Sequence, residues 1–77
     1  MTLQELKEAI IKDETNFIID LHTDAGSTLA EVNESLNDMI NEINSYQTPE
    51  ELMCFYLNRG WKEQDAYNTL FAYLVEN

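Results

Sequence analysis

The sequence predicts an all-α fold, a compact single domain of three to four helices with short connections over residues 1–77. Three observations predict it. Two Gly and one Pro in 77 residues leave few of the breaks that a strand-and-turn architecture needs. Thr-x-x-Glu signals that open helices recur along the chain. Apolar residues return at three- and four-residue spacing through most of its length.

Taken in order, Thr2 and Glu5 form an N-terminal capping box, and Leu3, Leu6 and Ile10 share one helical face. The first helix therefore reaches at least Lys12. The segment after it, residues 16–23, has two readings. Phe17, Ile19 and Leu21 alternate as in a strand, while Phe17, Ile18 and Leu21 continue the stripe of Ile10. A strand needs a partner and the chain offers no second one, so helix is the expectation, with a short strand at 16–22 as the alternative. Asp24-Ala25-Gly26-Ser27 reads as a turn. Thr28 and Glu31 then form a second capping box. At 100° per residue, Leu29, Val32, Leu36, Met39, Ile40, Ile43 and Tyr46 span an arc of about 120°, the signature of an amphipathic helix. Thr48-Pro49-Glu50-Glu51 places Thr at N-cap, Pro at N1 and Glu at N3. That helix should run to Gly60, which fits a left-handed C′ position, with Arg59 near the helix end and Trp61 as the hydrophobic contact of a Schellman motif. The last helix is expected to turn Ala66, Tyr67, Leu70, Phe71 and Leu74 inward.

Charge is the strongest compositional signal. Fifteen acids against four bases give a net charge of −11. From Asp13 to Asn58 there are 46 residues with ten acids and no Lys or Arg; the cations Lys7, Lys12, Arg59 and Lys62 sit in the end segments. Phosphate neutralisation requires Lys and Arg, so direct binding of nucleic acid or anionic lipid is not expected. No apolar run approaches the ~20 residues that span a bilayer, and the N-terminus lacks the pattern of a signal peptide. One cysteine, Cys54, excludes an internal disulfide and fits a reducing compartment. A cytoplasmic location is the expectation, and no cofactor is expected.

Signals for catalysis are weak. His22 and Cys54 each occur once, with no oxyanion loop around them, and Cys54 lies in the apolar run LMCFYL, where a buried thiol acts as a small hydrophobe. The segment DLHTDAGSTLAE, with Asp20, His22, Asp24 and Glu31, loosely resembles an EF-hand calcium loop. His22 at position 3 and Ala25 where the sharp turn requires Gly depart from that pattern. A plain Asp-rich turn before a capped helix fits better. The chain is expected not to be an enzyme.

Two surfaces stand out as binding candidates. Glu31, Glu34, Asp38 and Glu42 occupy an arc of about 80° opposite the apolar face of the second amphipathic helix, flanked by Asn37 and Asn41. Their separation of about 4.5–6 Å along the axis matches the spacing of phosphates on a nucleic-acid strand. The row could therefore sit in a Lys- and Arg-lined groove built for a phosphate backbone. In class, though in no shared motif, this resembles the small acidic nucleic-acid mimics among anti-restriction and anti-CRISPR proteins of phages and plasmids. The resemblance implies an inhibitor that occupies the basic surface of a nucleic-acid-binding protein. The second surface is aromatic. Phe55, Tyr56, Trp61, Tyr67, Phe71 and Tyr73 exceed what one inner seam hides, so some of Tyr56, Tyr67 and Tyr73 should be exposed, and Tyr67 and Tyr73 are the candidate contacts. The competing expectation is accordingly a helical protein–protein interaction module, a subunit, adaptor or homodimer, with acids only for solubility.

Overall fold

The computed structural model describes residues 1–76 and is built of four helices: α1 (Leu3–Ala25), α2 (Leu29–Ser45), α3 (Met53–Leu57) and α4 (Glu63–Glu76). No strand occurs among the described residues. Residues 16–22 belong to α1, so the strand alternative is set aside. A single helix of 23 residues at about 1.5 Å per residue accounts for the 35 Å long axis of the molecule.

Both capping boxes are formed. Thr2 Oγ1 accepts from the Glu5 amide while the Glu5 carboxylate accepts from the Thr2 amide, and Thr28 and Glu31 repeat the arrangement. α1 ends at Gly26, whose φ of 71° is left-handed. Its amide bonds the Thr23 carbonyl, and the Ser27 amide bonds the His22 carbonyl, which is a Schellman closure. The expected turn is therefore confined to Gly26 and Ser27, Asp24 and Ala25 being helical.

α1 and α2 form an antiparallel hairpin. Lys7 near the start of α1 reaches the end of α2, where its Nζ donates to the Asn44 carbonyl at 3.3 Å. A cation there also meets the negative end of the α2 dipole. At the other end, His22 lies between two hydroxyls, with Nδ1 2.8 Å from Ser27 Oγ and Nε2 3.0 Å from Ser35 Oγ.

The third helix is shorter than expected. Thr48 does cap, its Oγ1 accepting from the Glu51 amide at 3.2 Å. The chain then closes through i→i−3 bonds from Leu52 to Pro49, Met53 to Glu50, Cys54 to Glu51 and Phe55 to Leu52. Residues 49–52 are thus consecutive tight turns, and regular α-helix covers only Met53–Leu57. The exit follows expectation: Gly60 has φ 86°, the Trp61 amide bonds the Tyr56 carbonyl, and the Trp61 and Tyr56 rings meet with centroids 4.7 Å apart.

All four helices share one core. Leu6 and Ile10 of α1 pack with Met39 and Ile43 of α2, Leu52, Phe55 and Tyr56 from the α3 region, and Ala66 and Leu70 of α4. The face of α4 that enters it differs from the expected one. Ala66 and Leu70 are buried and Tyr73 is half-buried, whereas Tyr67, Phe71 and Leu74 are exposed. At 100° per residue the covered arc is centred roughly 90° away from the exposed apolar one.

Candidate interaction surfaces

The acidic row lies on α2, and the structure divides it into residues already engaged and residues open to solvent. Glu31 serves the capping box: Oε1 accepts from the Thr28 amide at 2.9 Å and the Thr28 hydroxyl at 3.0 Å. Those bonds hold its carboxyl below its ordinary pKa of 4.5. Glu42 is half-buried and paired with Arg59, whose Nη1 stands 3.1 and 3.2 Å from its two oxygens. It also accepts from the Tyr46 hydroxyl at 2.7 Å. Burial, with this contact to Glu42, pushes the Tyr46 phenol up to about 12. Glu34 and Asp38 are exposed, as are Asn37 and Asn41 beside them. The open part of the row is thus a central pair of carboxylates, shorter than the stripe read from the sequence, because a cation 17 residues downstream answers its C-terminal end.

Arg59 is held by more than that carboxylate. Its guanidinium carbon lies 3.6 Å from the centre of the Phe55 ring, and Nη1 donates to the Phe55 carbonyl at 2.9 Å. It therefore satisfies a C-terminal carbonyl of α3, as its position before Gly60 suggested.

The candidate tyrosines separate. Tyr73 turns inward, and its hydroxyl donates to Asp13 Oδ2 of α1. Burial first, then this carboxylate, raises its pKa far above the ordinary phenol value. It joins α4 to α1. Tyr67 is 53% exposed and stacks on Phe71, also 53% exposed, with ring planes 14° apart and centroids 6.0 Å apart. Together with Leu74 the two rings border a shallow groove whose other side is Pro49, Glu50 and Met53. A free ring of this kind carries ~150–250 Å², so two half-exposed rings and a leucine present on the order of 300 Å² of apolar surface. Patches of that size on a monomer are often functional.

A second apolar region lies on the other half of α1. Phe17 and Leu21, expected to continue the inner stripe, are exposed, while Ile18 and His22 turn towards the packed side. Phe17, Ile18, Tyr56 and Trp61 line a cavity together with Glu14 and Arg59. Its volume is about 380 Å³. Burial raises the Glu14 pKa above its ordinary 4.5, and neighbouring Asp13 adds to this against the pull of Arg59. Sequence reasoning did not single out this cavity, nor the burial of Lys7; the signal for the first was a run of apolar residues too wide for one helix face.

For a metal the geometry offers little. Asp20, His22 and Asp24 are on the last turns of α1 rather than in a loop, so an EF-hand-like wrapping around a cation is not available to them. Among the described residues no three His, Cys, Asp or Glu side chains converge as metal ligands. The Cys54 thiol is exposed, contrary to the expectation of a buried hydrophobe, because Leu52, Phe55 and Tyr56 take the inward positions of that turn. Among the described residues no helix is long and apolar enough to cross a membrane. No protein-family model matches the chain, and no curated protein or solved structure is significantly similar to it.

Proposed function

We propose that the chain is a non-enzymatic binding protein whose partner is a basic protein, gripped through the apolar face of α4. The observation that supports this reading is the mismatch on that helix. Its apolar arc includes Ala66, Leu70, Tyr67, Phe71 and Leu74, but the core covers only the Ala66–Leu70 side. Two stacked, half-exposed rings are the kind of rigid, low-entropy anchor that dominates interface energetics. The net charge of −11 selects the partner: basic surfaces are attracted over several ångströms and acidic ones are turned away.

A second reading is supported by the exposed Glu34–Asp38 pair with Asn37 and Asn41. In it the α2 face occupies the basic groove of a nucleic-acid-handling protein in place of a phosphate backbone, as an inhibitor of the anti-restriction or anti-CRISPR kind. Only two of the four carboxylates are uncommitted, which makes this the lesser of the two readings.

One affinity-capture experiment separates them. Wild type, Tyr67→Ser/Phe71→Ser and Glu34→Lys/Asp38→Lys are immobilised and exposed to lysate of the native host, and the bound proteins are eluted in steps of NaCl. The first reading expects the ring variant to lose the captured species and the charge variant to keep it. The mimicry reading expects the reverse, with elution at modest salt. Equal capture by all three proteins removes both.

A further inference from the structure

We propose that the cavity between α1 and the α3–α4 turn, walled by Phe17, Tyr56 and Trp61 with Glu14 among its lining groups, binds the ammonium end of a lysine side chain. This deepens the reading of a basic protein partner and rests on it for its biological meaning.

The aromatic walls come first. Trp61 leans on Tyr56 with ring centroids 4.7 Å apart and planes tilted by 47°, so the two rings form an angle rather than a flat stack. Phe17 on α1 is 60% exposed and Trp61 42%, and both line the cavity. Ring faces attract cations, most strongly when the cation is partly desolvated, and a pocket made of several rings with one carboxylate is the arrangement that recognises ammonium groups. Ile18 supplies an apolar strip for the methylene stem of a lysine.

The electrostatics agree. Glu14 is half-buried, and its carboxylate accepts no hydrogen bond from any described residue while keeping contact with solvent. Burial raises its pKa. An ammonium placed beside it would balance its charge and donate charge-assisted hydrogen bonds to its oxygens. Arg59 also borders the cavity and its charge acts on Glu14, but its Nη1 is committed to Glu42 and the Phe55 carbonyl, so that Glu14, Asp13 and Glu42 together outnumber it. Asp13 adds a further negative charge, acting with Glu14 on the Tyr56 phenol. The local balance therefore favours a cation over an anion. The cavity volume of about 380 Å³ is near the lower end of the ~300–1,000 Å³ range of ligand sites, enough for one side chain and too small for a large cofactor.

The test uses small probes on the full chain, without the partner. Nα-acetyl-lysine amide, Nα-acetyl-norleucine amide and Nα-acetyl-glutamate amide are titrated to tens of millimolar against ¹⁵N-labelled protein. The readout is the indole N–H resonance of Trp61, the chain's one tryptophan. The lysine probe should shift that resonance saturably, and the other two should not. Glu14→Gln and Phe17→Ala should each weaken the lysine probe at least five-fold while leaving the rest of the amide spectrum in place. Equal binding of the norleucine probe, preference for the glutamate probe, or an unchanged affinity in Glu14→Gln each overturns the proposal. Because the probe titration needs no partner, its failure leaves the capture experiment on α4 unaffected, and loss of capture leaves the titration standing.

Discussion

Arg59→Met tests how the α3–α4 region is held. In the structure the guanidinium has three contacts: the Glu42 carboxylate, the Phe55 carbonyl and the Phe55 ring. Distance alone would assign most of its value to the ion pair. Exposure assigns it differently. The two side chains are 37% and 29% exposed, and pairs with that much access to water contribute about 0.2–1 kcal/mol. The bond to the Phe55 carbonyl, charge-assisted but partly wet, contributes about 1 kcal/mol. Stacking over the ring contributes about 0.5–1 kcal/mol. Arg59→Met, which keeps apolar contact with the ring, should therefore lose about 2 kcal/mol, most of it unrelated to Glu42. For a domain of this size that is a fall in Tm of about 8–16 °C. Glu42→Gln retains an acceptor for the Tyr46 hydroxyl and should lose less than about 1 kcal/mol. The assay is urea unfolding of both single variants and the double variant, at 0.05 and 1 M NaCl. The coupling energy should be about 0.5 kcal/mol and should vanish at high salt, where the Debye length is about 3 Å. A coupling of about 2 kcal/mol or more, insensitive to salt, would refute this division.

Further outcomes follow from the same geometry. Ile43→Ala empties a position with no exposed surface, against Leu6 and Ile10 in the shared core; the expected loss of about 3 kcal/mol is a large share of the stability of so small a domain. Calorimetry should show a Tm lowered by more than about 10 °C, and a fall under about 2 °C contradicts the packing. Gly60→Ala meets no atom within 4 Å but must hold φ at 86°, so the expected loss of about 1–2 kcal/mol is purely conformational and should appear undiminished when Trp61 is also replaced. The pH profile has two opposed parts. Glu5 and Glu31 have pKa values lowered by their capping bonds, so their contribution is present above the unfolded value near 4.5 and disappears as pH falls through the lower folded values. Glu14 is raised by burial, so its ionisation disfavours the fold above its folded pKa, and acidification towards 4.5 relieves this. Glu31→Gln should flatten the acid limb of the stability profile below pH 4.5, whereas Glu14→Gln should raise stability at pH 7 relative to pH 5; the opposite order would reverse both assignments.

Local features were legible wherever the chemistry was local. Thr2–Glu5, Thr28–Glu31, Thr48, Gly60 and Trp61 all act within five residues of their partners, and each takes the place its residue type suggested. Residues 16–23 were ambiguous because Phe17, Ile19 and Leu21 satisfy a period of two and Phe17, Ile18 and Leu21 a helical one. Helix prevails because it satisfies its own backbone, while a strand needs a second strand that the described residues do not supply. What could not be read was the rotation of a helix whose apolar arc is wider than its contact. On α4, Ala66 and Leu70 fit an inner face together with Tyr67, Phe71 and Leu74, or together with Tyr73. Packing of α4 on the shared core, with the bond from Tyr73 to Asp13 of α1, 60 residues away, goes with Tyr73. The shortened acidic row has the same origin. Nothing near Glu42 in the chain announces Arg59, and that pair exists because the α3 turn returns to α2.

Those two long-range effects bear on what covers the exposed rings. A second copy of the chain would bring a further net charge of −11 against an acid-bordered groove, where charges brought within the ~8 Å Debye length of physiological salt repel. Its apolar return is also small. About 300 Å² from each side makes roughly 600 Å², well below the ~1,200–2,000 Å² of a stable interface. A basic partner changes the first sum, since Glu50 at the groove becomes attractive and steering raises the encounter rate. The area shortfall still holds for such a partner. Contact with Tyr67 and Phe71 alone is insufficient, and the footprint must extend to further surface. Two regions stand ready to supply it: the open carboxylates Glu34 and Asp38, and the aromatic cavity at Trp61. Which of them is used is a question of geometry, readable from whether Glu34→Lys or Phe17→Ala weakens partner binding more in a background that keeps Tyr67 and Phe71 intact.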